Sequence, residues 1–283
     1  MFKLFIDLKY RIDEWILNAI AKGFDKVLYE PLKYALEGGK RLRGLLVVLT
    51  GLNFDCPIKK LVDYAVAIEI AHAASLVHDD IVDHSEYRRG KESLWKKFGI
   101  EVAVLLPHIM VSKAFSLISR AGKQVLDDFI EAWGKITYGQ ILDLEAMNNN
   151  LVIDYKELVK LKTGIGFEMS CYLGIVASGA LEYLDVARKF GLNLGLAYQA
   201  LDDLADIKKG APTSGSSILL VKKWGGKAQR VVEDYAREYF LKALKYAEEL
   251  DGKNIGYLKN FVSVSLKAIA REGNLDIDFL RVI

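Results

Sequence analysis

Asp79-Asp80-Ile81-Val82-Asp83 and Asp202-Asp203-Leu204-Ala205-Asp206 are two copies of one acidic pattern, D-D-x-x-D. On a helix the first and last Asp of each copy lie one turn apart on one face, with the middle Asp about 100° round. Each copy can therefore aim two carboxylates at one spot. Two such clusters facing each other are tolerable only with hard divalent cations and a polyphosphate between them, which predicts a site for two or three Mg²⁺ ions. At the Asp frequency of this chain roughly 0.1 copies are expected by chance, so the second copy carries the weight. A solvated helix face is the alternative, and the apolar flanks Leu76, Val77, Leu196, Ala197 and Leu201 argue against it. A third run, Asp127-Asp128-Phe129-Ile130-Glu131, reads as the acidic first turn of a helix.

Apolar residues recur at three- and four-residue spacing through most of the chain, strand-like alternation is scarce, and only four prolines interrupt. Helices are expected at 3–22, 24–37, 41–53, 58–82, 93–99, 101–119, 126–148, 154–180, 182–207, 217–222, 226–250 and 254–272. Pro107 should kink its helix or start a new one. The 283 residues, 52% hydrophobic, supply a sizeable core, and without a Gly, Ser or Pro linker a single domain over 1–283 is the simplest reading. Both acidic copies fall at the C-terminal ends of long apolar helices, where the macrodipole disfavours Asp unless a cation is near. A net charge of +2 gives no reason to propose nucleic acid binding. Cys56 and Cys171 form neither a metal-ligand spacing nor a disulfide framework. The N-terminus lacks the form of a signal peptide, and no run of about 20 apolar residues predicts a transmembrane segment, so a cytoplasmic protein is expected.

Basic residues answer the acidic ones. Gly38-Gly39-Lys40-Arg41-Leu42-Arg43 places three cations beside a glycine pair, a turn on which backbone N–H groups and side chains can converge on a diphosphate; an exposed capping turn is the alternative. Arg88-Arg89 follows Asp83 by five residues, and Lys162-Thr163-Gly164 adds a third basic position. His72 stands two turns before Asp79 and faces the same way, against the alternative of a core histidine. His78, beside Asp79, reads as support for the helix end, because Mg²⁺ prefers oxygen.

The order G-G-K-R-L-R, H-x6-D-D-x-x-D-x4-R-R-G, K-T and Y-Q-x-x-D-D-x-x-D over Gly38 to Asp206 resembles the trans-polyprenyl diphosphate synthases, most of all the short archaeal enzymes making medium-length products. The resemblance implies an all-α, single-domain helical bundle of the isoprenoid synthase type with a central apolar cavity. It also implies a homodimer that condenses isopentenyl diphosphate with an allylic prenyl diphosphate, head to tail, with Mg²⁺. By the same resemblance Asp79, Asp83 and Asp202 are direct metal ligands, and Asp80, Asp203 and Asp206 complete the clusters directly or through water. Lys40, Arg43, His72 and Arg89 match the isopentenyl diphosphate site. Arg88, Lys162 and Gln199 match the allylic diphosphate and carbocation site, with Thr163 alongside, while Gln140 and Asp143 match a segment lining the cavity.

The substrate itself would ionise, so no nucleophile is needed, and the resemblance implies that the departing diphosphate accepts the final proton. In the family a large aromatic just before the first acidic copy stops chain growth early. Ala71, Ala74 and Ser75 are small here, which implies an open tunnel and a product of more than 20 carbons, with geranylgeranyl diphosphate as the alternative. The small residues could instead serve close helix packing, with Met110, Phe115, Trp133 or Met147 supplying the stop. After the second copy, where relatives carry G-K-x-x-x-D and a further lysine, this chain reads Lys208 to Ser217; Lys208, Lys209 or Lys222 could substitute. A noncatalytic subunit of a heteromeric synthase would be expected to lose acidic residues, and a terpene cyclase would not need Lys40, Arg43 and Arg89.

Overall fold

The computed structural model describes residues 2–21, 25–148, 153–210, 212 and 214–276. The expected helix ends at 22 and 24, and Ala211 and Thr213 of the loop after the second acidic copy, lie outside them. Thirteen α-helices make up nearly all of what is described: α1 (Phe2–Ala21), α2 (Lys26–Leu36), α3 (Leu42–Asn53), α4 (Ile58–Val82), α5 (Leu94–Phe98), α6 (Ile100–Ile118), α7 (Lys123–Met147), α8 (Tyr155–Val159), α9 (Ile165–Ser178), α10 (Leu184–Lys208), α11 (Gly215–Trp224), α12 (Ala228–Glu249) and α13 (Ile255–Glu272). The fold is all-α. It departs from the expected helices in a few places, each with a local cause.

α4 is apolar all round, which suits a helix surrounded by others. It packs on α3, α6 and α9, and α10 packs on α9, α12 and α13, so the two acidic helices stand within one bundle. Phe167, Phe190, Phe261, Leu46, Leu49 and Leu61 are fully buried between these helices. Each such side chain contributes on the order of 2 kcal/mol of hydrophobic burial. α6 runs unbroken through the buried Pro107, because packing along α4 outweighs the one hydrogen bond that proline removes. α11 starts earlier than expected, at Gly215, because Ser214 and Ser217 form a capping box. The stretch expected as one helix over 154–180 holds a turn of π-helix, Lys160–Gly164, between α8 and α9.

A two-strand hairpin was not anticipated. β1 (Tyr87–Arg88) pairs antiparallel with β2 (Lys91–Glu92), Arg88 opposite Lys91, across a two-residue turn in which both Arg89 (φ 54°) and Gly90 (φ 76°) are left-handed. That is the turn whose twist matches a hairpin. Two segments, α4 and Ile100–Ala121, have the length and mean hydropathy of a membrane span by composition alone, a test that core helices of a bundle also pass. α4 is mostly buried within the bundle, whereas Ile100, Val104 and Leu105 of α6 are exposed.

Candidate active site

A cavity of about 680 Å³ opens between α3, α4, α7, α9, α10 and the end of α13. On α4 its wall includes Ile68, Ala71, His72, Ser75 and Asp79, in which Ile68, Ala71 and Ser75, and likewise His72 and Ser75 with Asp79, recur at the three- and four-residue spacing of one helix face. From Asp79 down to Ile68 this wall descends about 16 Å at 1.5 Å per residue.

The outer and middle members of the acidic patterns have different surroundings. Asp79 and Asp202 line the cavity. Burial pushes the Asp79 carboxyl up to about 7, with Lys162 pulling down and Asp83 and Asp80 pushing up. Asp202 is raised by burial and by Asp206, and Asp83, the C-cap of α4, is raised by burial and by Asp143. Asp80 turns inward and accepts from Arg88 Nε at 2.8 Å. Asp203 is buried, accepting from Tyr155 Oη at 2.8 Å, Ser216 Oγ at 2.7 Å, Gln199 Nε2 at 3.1 Å and Ser214 Oγ at 3.2 Å. Thus Asp79, Asp83 and Asp202 present the carboxylates that would hold a metal, and Asp80 and Asp203 are occupied by protein donors. Among the described residues no three His, Cys, Asp or Glu side chains converge on one metal position by themselves. Oxygen-only donors with charge that burial disfavours fit hard divalent cations shared with a ligand.

Lys162 lies between the two clusters. Its Nζ donates to Asp143 Oδ2 at 2.6 Å. Burial works against its charge, but Asp143, then Asp79 and Asp83, more than offset this and hold the ammonium form. The π-turn delivers Lys162 and Thr163 together, an irregularity often found at functional sites. α7 approaches it so closely that a Cβ on Gly139 would sit 2.6 Å from the backbone nitrogen of Lys162. Thr163 Oγ1 donates to Gln199 Oε1 at 2.7 Å, turning the Gln199 amide toward Asp202 (3.4 Å) and Asp203. Gln140 also lines the cavity, and its Nε2 is buried without a hydrogen-bond partner.

Lys40, Arg43, His72 and Arg89 line the same cavity. Arg43 NH1 lies 3.0 Å from His72 Nε2. Burial, then Arg43, Arg89, Arg41 and Arg88, holds His72 well below its ordinary value, so the neutral imidazole accepts from Arg43. Arg89 donates to Glu37 O at 2.8 Å. Lys40 reaches Tyr198 Oη at 3.4 Å and pairs with Glu272. Arg41 also touches the cavity, but its guanidinium is taken by protein partners. It is left-handed (φ 58°) and buried, and it spends its guanidinium on Asp13 (2.6 Å), Glu69 (3.6 Å) and the Leu36 carbonyl. That anchor fixes the turn between Lys40 and Arg43.

Ala71 and Ser75 are on the wall, but Ala74 is fully buried off it, because one residue rotates a helix position by 100°. Ile68, Phe129 and Met169 line the apolar end with Trp133 and Ile136, and Phe115 stacks edge-on behind Phe129 at 6.0 Å. Met110 and Met147 are not on the wall. Phe129, Tyr198 and Glu272 were missed from sequence; Phe129 hid in an acidic run read as structural, and Tyr198 stood in the quoted Y-Q motif. His78 lines the cavity with its ring 6.1 Å from that of His108. None of the candidate replacement lysines is on the wall: Lys208 pairs with Glu233 at 3.6 Å and Lys222 donates to Ala146 O at 3.5 Å.

An all-helical bundle with acidic patterns at two helix ends and basic residues lining one cavity with them defines an enzyme class that handles apolar diphosphates. The chain belongs to the polyprenyl synthetase family, whose model matches residues 25–218. It is 28% identical over 283 residues to the hexaprenyl pyrophosphate synthase of Saccharolobus solfataricus, covering 97% of this chain and 98% of that one. It is 32% identical over 254 residues to the geranylgeranyl pyrophosphate synthase of Geoglobus acetivorans, covering 85% and 79%. The crystal structure of a geranyltranstransferase from Thermotoga maritima superposes with a TM-score of 0.82 at 26% identity, covering 94% of this chain and 99% of that one. The protein is a prenyltransferase, a polyprenyl diphosphate synthase.

Proposed function

We propose that this chain, acting as one domain over 1–283, joins isopentenyl diphosphate to an allylic prenyl diphosphate and makes a product of more than 20 carbons. The carrying observation is that Lys162, Asp79 and Asp202 line one cavity together with Lys40, Arg43 and Arg89. Lys40, Arg43 and Arg89, with neutral His72 orienting Arg43, hold the isopentenyl diphosphate. Arg88 and Lys162 hold the allylic diphosphate and stabilise the charge that grows on it as its carbon–oxygen bond breaks. Gln199 and Thr163 stand beside the cation left behind. Two or three Mg²⁺ ions, held by Asp79, Asp83 and Asp202 with Asp80, Asp203 and Asp206 supporting, supply charge neutralisation to that diphosphate when bound.

The apolar walls exclude water, so the isopentenyl double bond, held in register, captures the cation. The new bond forms to the allylic carbon, and the proton lost from the condensed chain passes to the departing diphosphate. Small Ala71 and Ser75 leave the growing chain room to pass toward Ile68. A 20-carbon product is the second reading, favoured by Phe129 and Trp133 on the same wall. The enzyme is proposed to be a cytoplasmic homodimer.

The test is incubation of purified protein with Mg²⁺, labelled isopentenyl diphosphate and allylic primers of increasing length. A ladder ending at one product is expected. No incorporation by folded protein with any primer would sink the reading and favour a noncatalytic subunit. Ser75→Phe should shorten the product by at least one five-carbon unit, and an unchanged length would place the stop at α7 instead.

A further inference from the structure

The segment after the second acidic pattern sends no lysine to the cavity wall. It sends hydroxyls inward instead. Ser216 is fully buried at the start of α11. Its N–H donates to Asp143 Oδ1 at 3.0 Å, and its Oγ donates to Asp203 Oδ1 at 2.7 Å. The other Asp143 oxygen takes Lys162 Nζ at 2.6 Å. Asp143 is 1% exposed, so both its oxygens are engaged and its side chain is fixed. Asp203 in turn accepts from Gln199, whose amide also faces Asp202. One serine thus sits at the junction of two chains of contacts, one ending at Lys162 and the other at Asp202.

Local backbone chemistry explains why α11 can do this. The Ser214–Ser217 capping box starts the helix with the Ser216 N–H directed at Asp143, and the positive end of the helix favours that carboxylate. Close approach requires glycine at 215, where a Cβ would lie 2.1 Å from the Asp143 carbonyl oxygen. Lys222 ties α11 to α7 a second time, at the Ala146 carbonyl.

We propose that Ser216 is a positioning residue for prenyl transfer: it locks Asp143, and so Lys162, at a set distance from the second acidic cluster. Its hydroxyl anchors the start of α11 to α10, which keeps the Ser216 N–H on Asp143. This rests on the assignment of Lys162 to the allylic diphosphate. Without the anchor Lys162 would still bind diphosphate, but less well aligned with the breaking bond, so the loss should fall on kcat.

A double-mutant cycle tests this, with Ser216→Ala, Lys162→Ala and the combination assayed at saturating allylic primer and varied isopentenyl diphosphate. Ser216→Ala should lower kcat about 10-fold and leave KM for isopentenyl diphosphate within about twofold, while costing less than about twofold in the Lys162→Ala background. An equal loss in both backgrounds, or no loss in Ser216→Ala alone, overturns the proposal while leaving the role of Lys162 intact. A wild-type rate in Lys162→Ala alone overturns that role and the proposal with it. Asp143→Asn, which keeps an oxygen for the Ser216 N–H but removes the charge facing Lys162, should show the same non-additivity. It stands in for Ser216→Ala if that variant does not fold.

Discussion

Neighbouring carboxylates in the two acidic patterns show how far position alone separates roles. Asp203 meets four donors inside the protein, although burial still pushes its carboxyl up to about 7, whereas Asp79, on the cavity wall, has Lys162 as its main help against burial. Its carboxyl is lifted from 3.8 to about 7, so the folded chain holds a proton there that the unfolded chain releases. The stability tied to this proton is fully present below pH 3.8 and is lost as pH rises through about 7. Asp79→Asn should therefore raise the melting temperature of the protein in chelator at pH 8 by about 4 °C or more, with the gain shrinking toward pH 4. It should also abolish measurable condensation. An equal gain at pH 5 and pH 8 would show that ionisation of Asp79 is not the cause. The pairing of the six aspartates was legible in the sequence because helix geometry puts the middle residue of each triplet on another face. The exclusion of Ala74 from the wall rests on the same 100° rotation, but picking the wall face required knowing where α7 and α9 lie.

Elements supply what single residues cannot, namely a fixed distance across the cavity. The hairpin that carries Arg88 and Arg89 has only two paired residues in each strand, too little to be stable alone. It is clamped to α2 by Lys91, whose Nζ donates to Tyr34 O at 2.8 Å, lies 3.5 Å from Glu37 and sits 3.8 Å from the centre of the Tyr34 ring. Glu37 O in turn accepts from Arg89. Lys91→Ala should loosen this clamp and raise KM for isopentenyl diphosphate about 5- to 10-fold, with kcat changed less than about twofold. Initial-rate kinetics at saturating allylic primer would show it, and an unchanged KM would mean that Arg89 is held without the hairpin clamp. The long helices were legible because their apolar spacing repeats over several turns. Neither the hairpin nor the π-turn was, since each spans too few residues to leave a period, and the left-handed conformation of Arg41 and Arg89 is imposed by their ion pairs and turn.

At the scale of the molecule, α4 and α10 each end in acid, so bundle packing must hold two like-charged helix ends beside one cavity. Such a frame gains from any contact that fixes the outer helices, and α6 offers the surface for one. Ile100 and Val104 lie one turn apart on α6, Leu105 is about 100° round from Val104, and Leu105 is 63% exposed. Tyr138 and Ile141 of the neighbouring α7 are exposed too. Grouped apolar side chains of this size on a helix that already packs against α4 fit burial against a second copy of the chain. Sedimentation of the wild-type protein should then give twice the chain mass, and Val104→Glu with Leu105→Glu should give a single-chain species at micromolar concentration. The charges would face each other across a twofold contact, where like charges repel as well as lose water. Because α6 packs along α4, which carries Asp79, the variant should also lose activity at dilution in step with dissociation. A wild-type protein that sediments as a single chain at every concentration, with full activity, would rule out this interface.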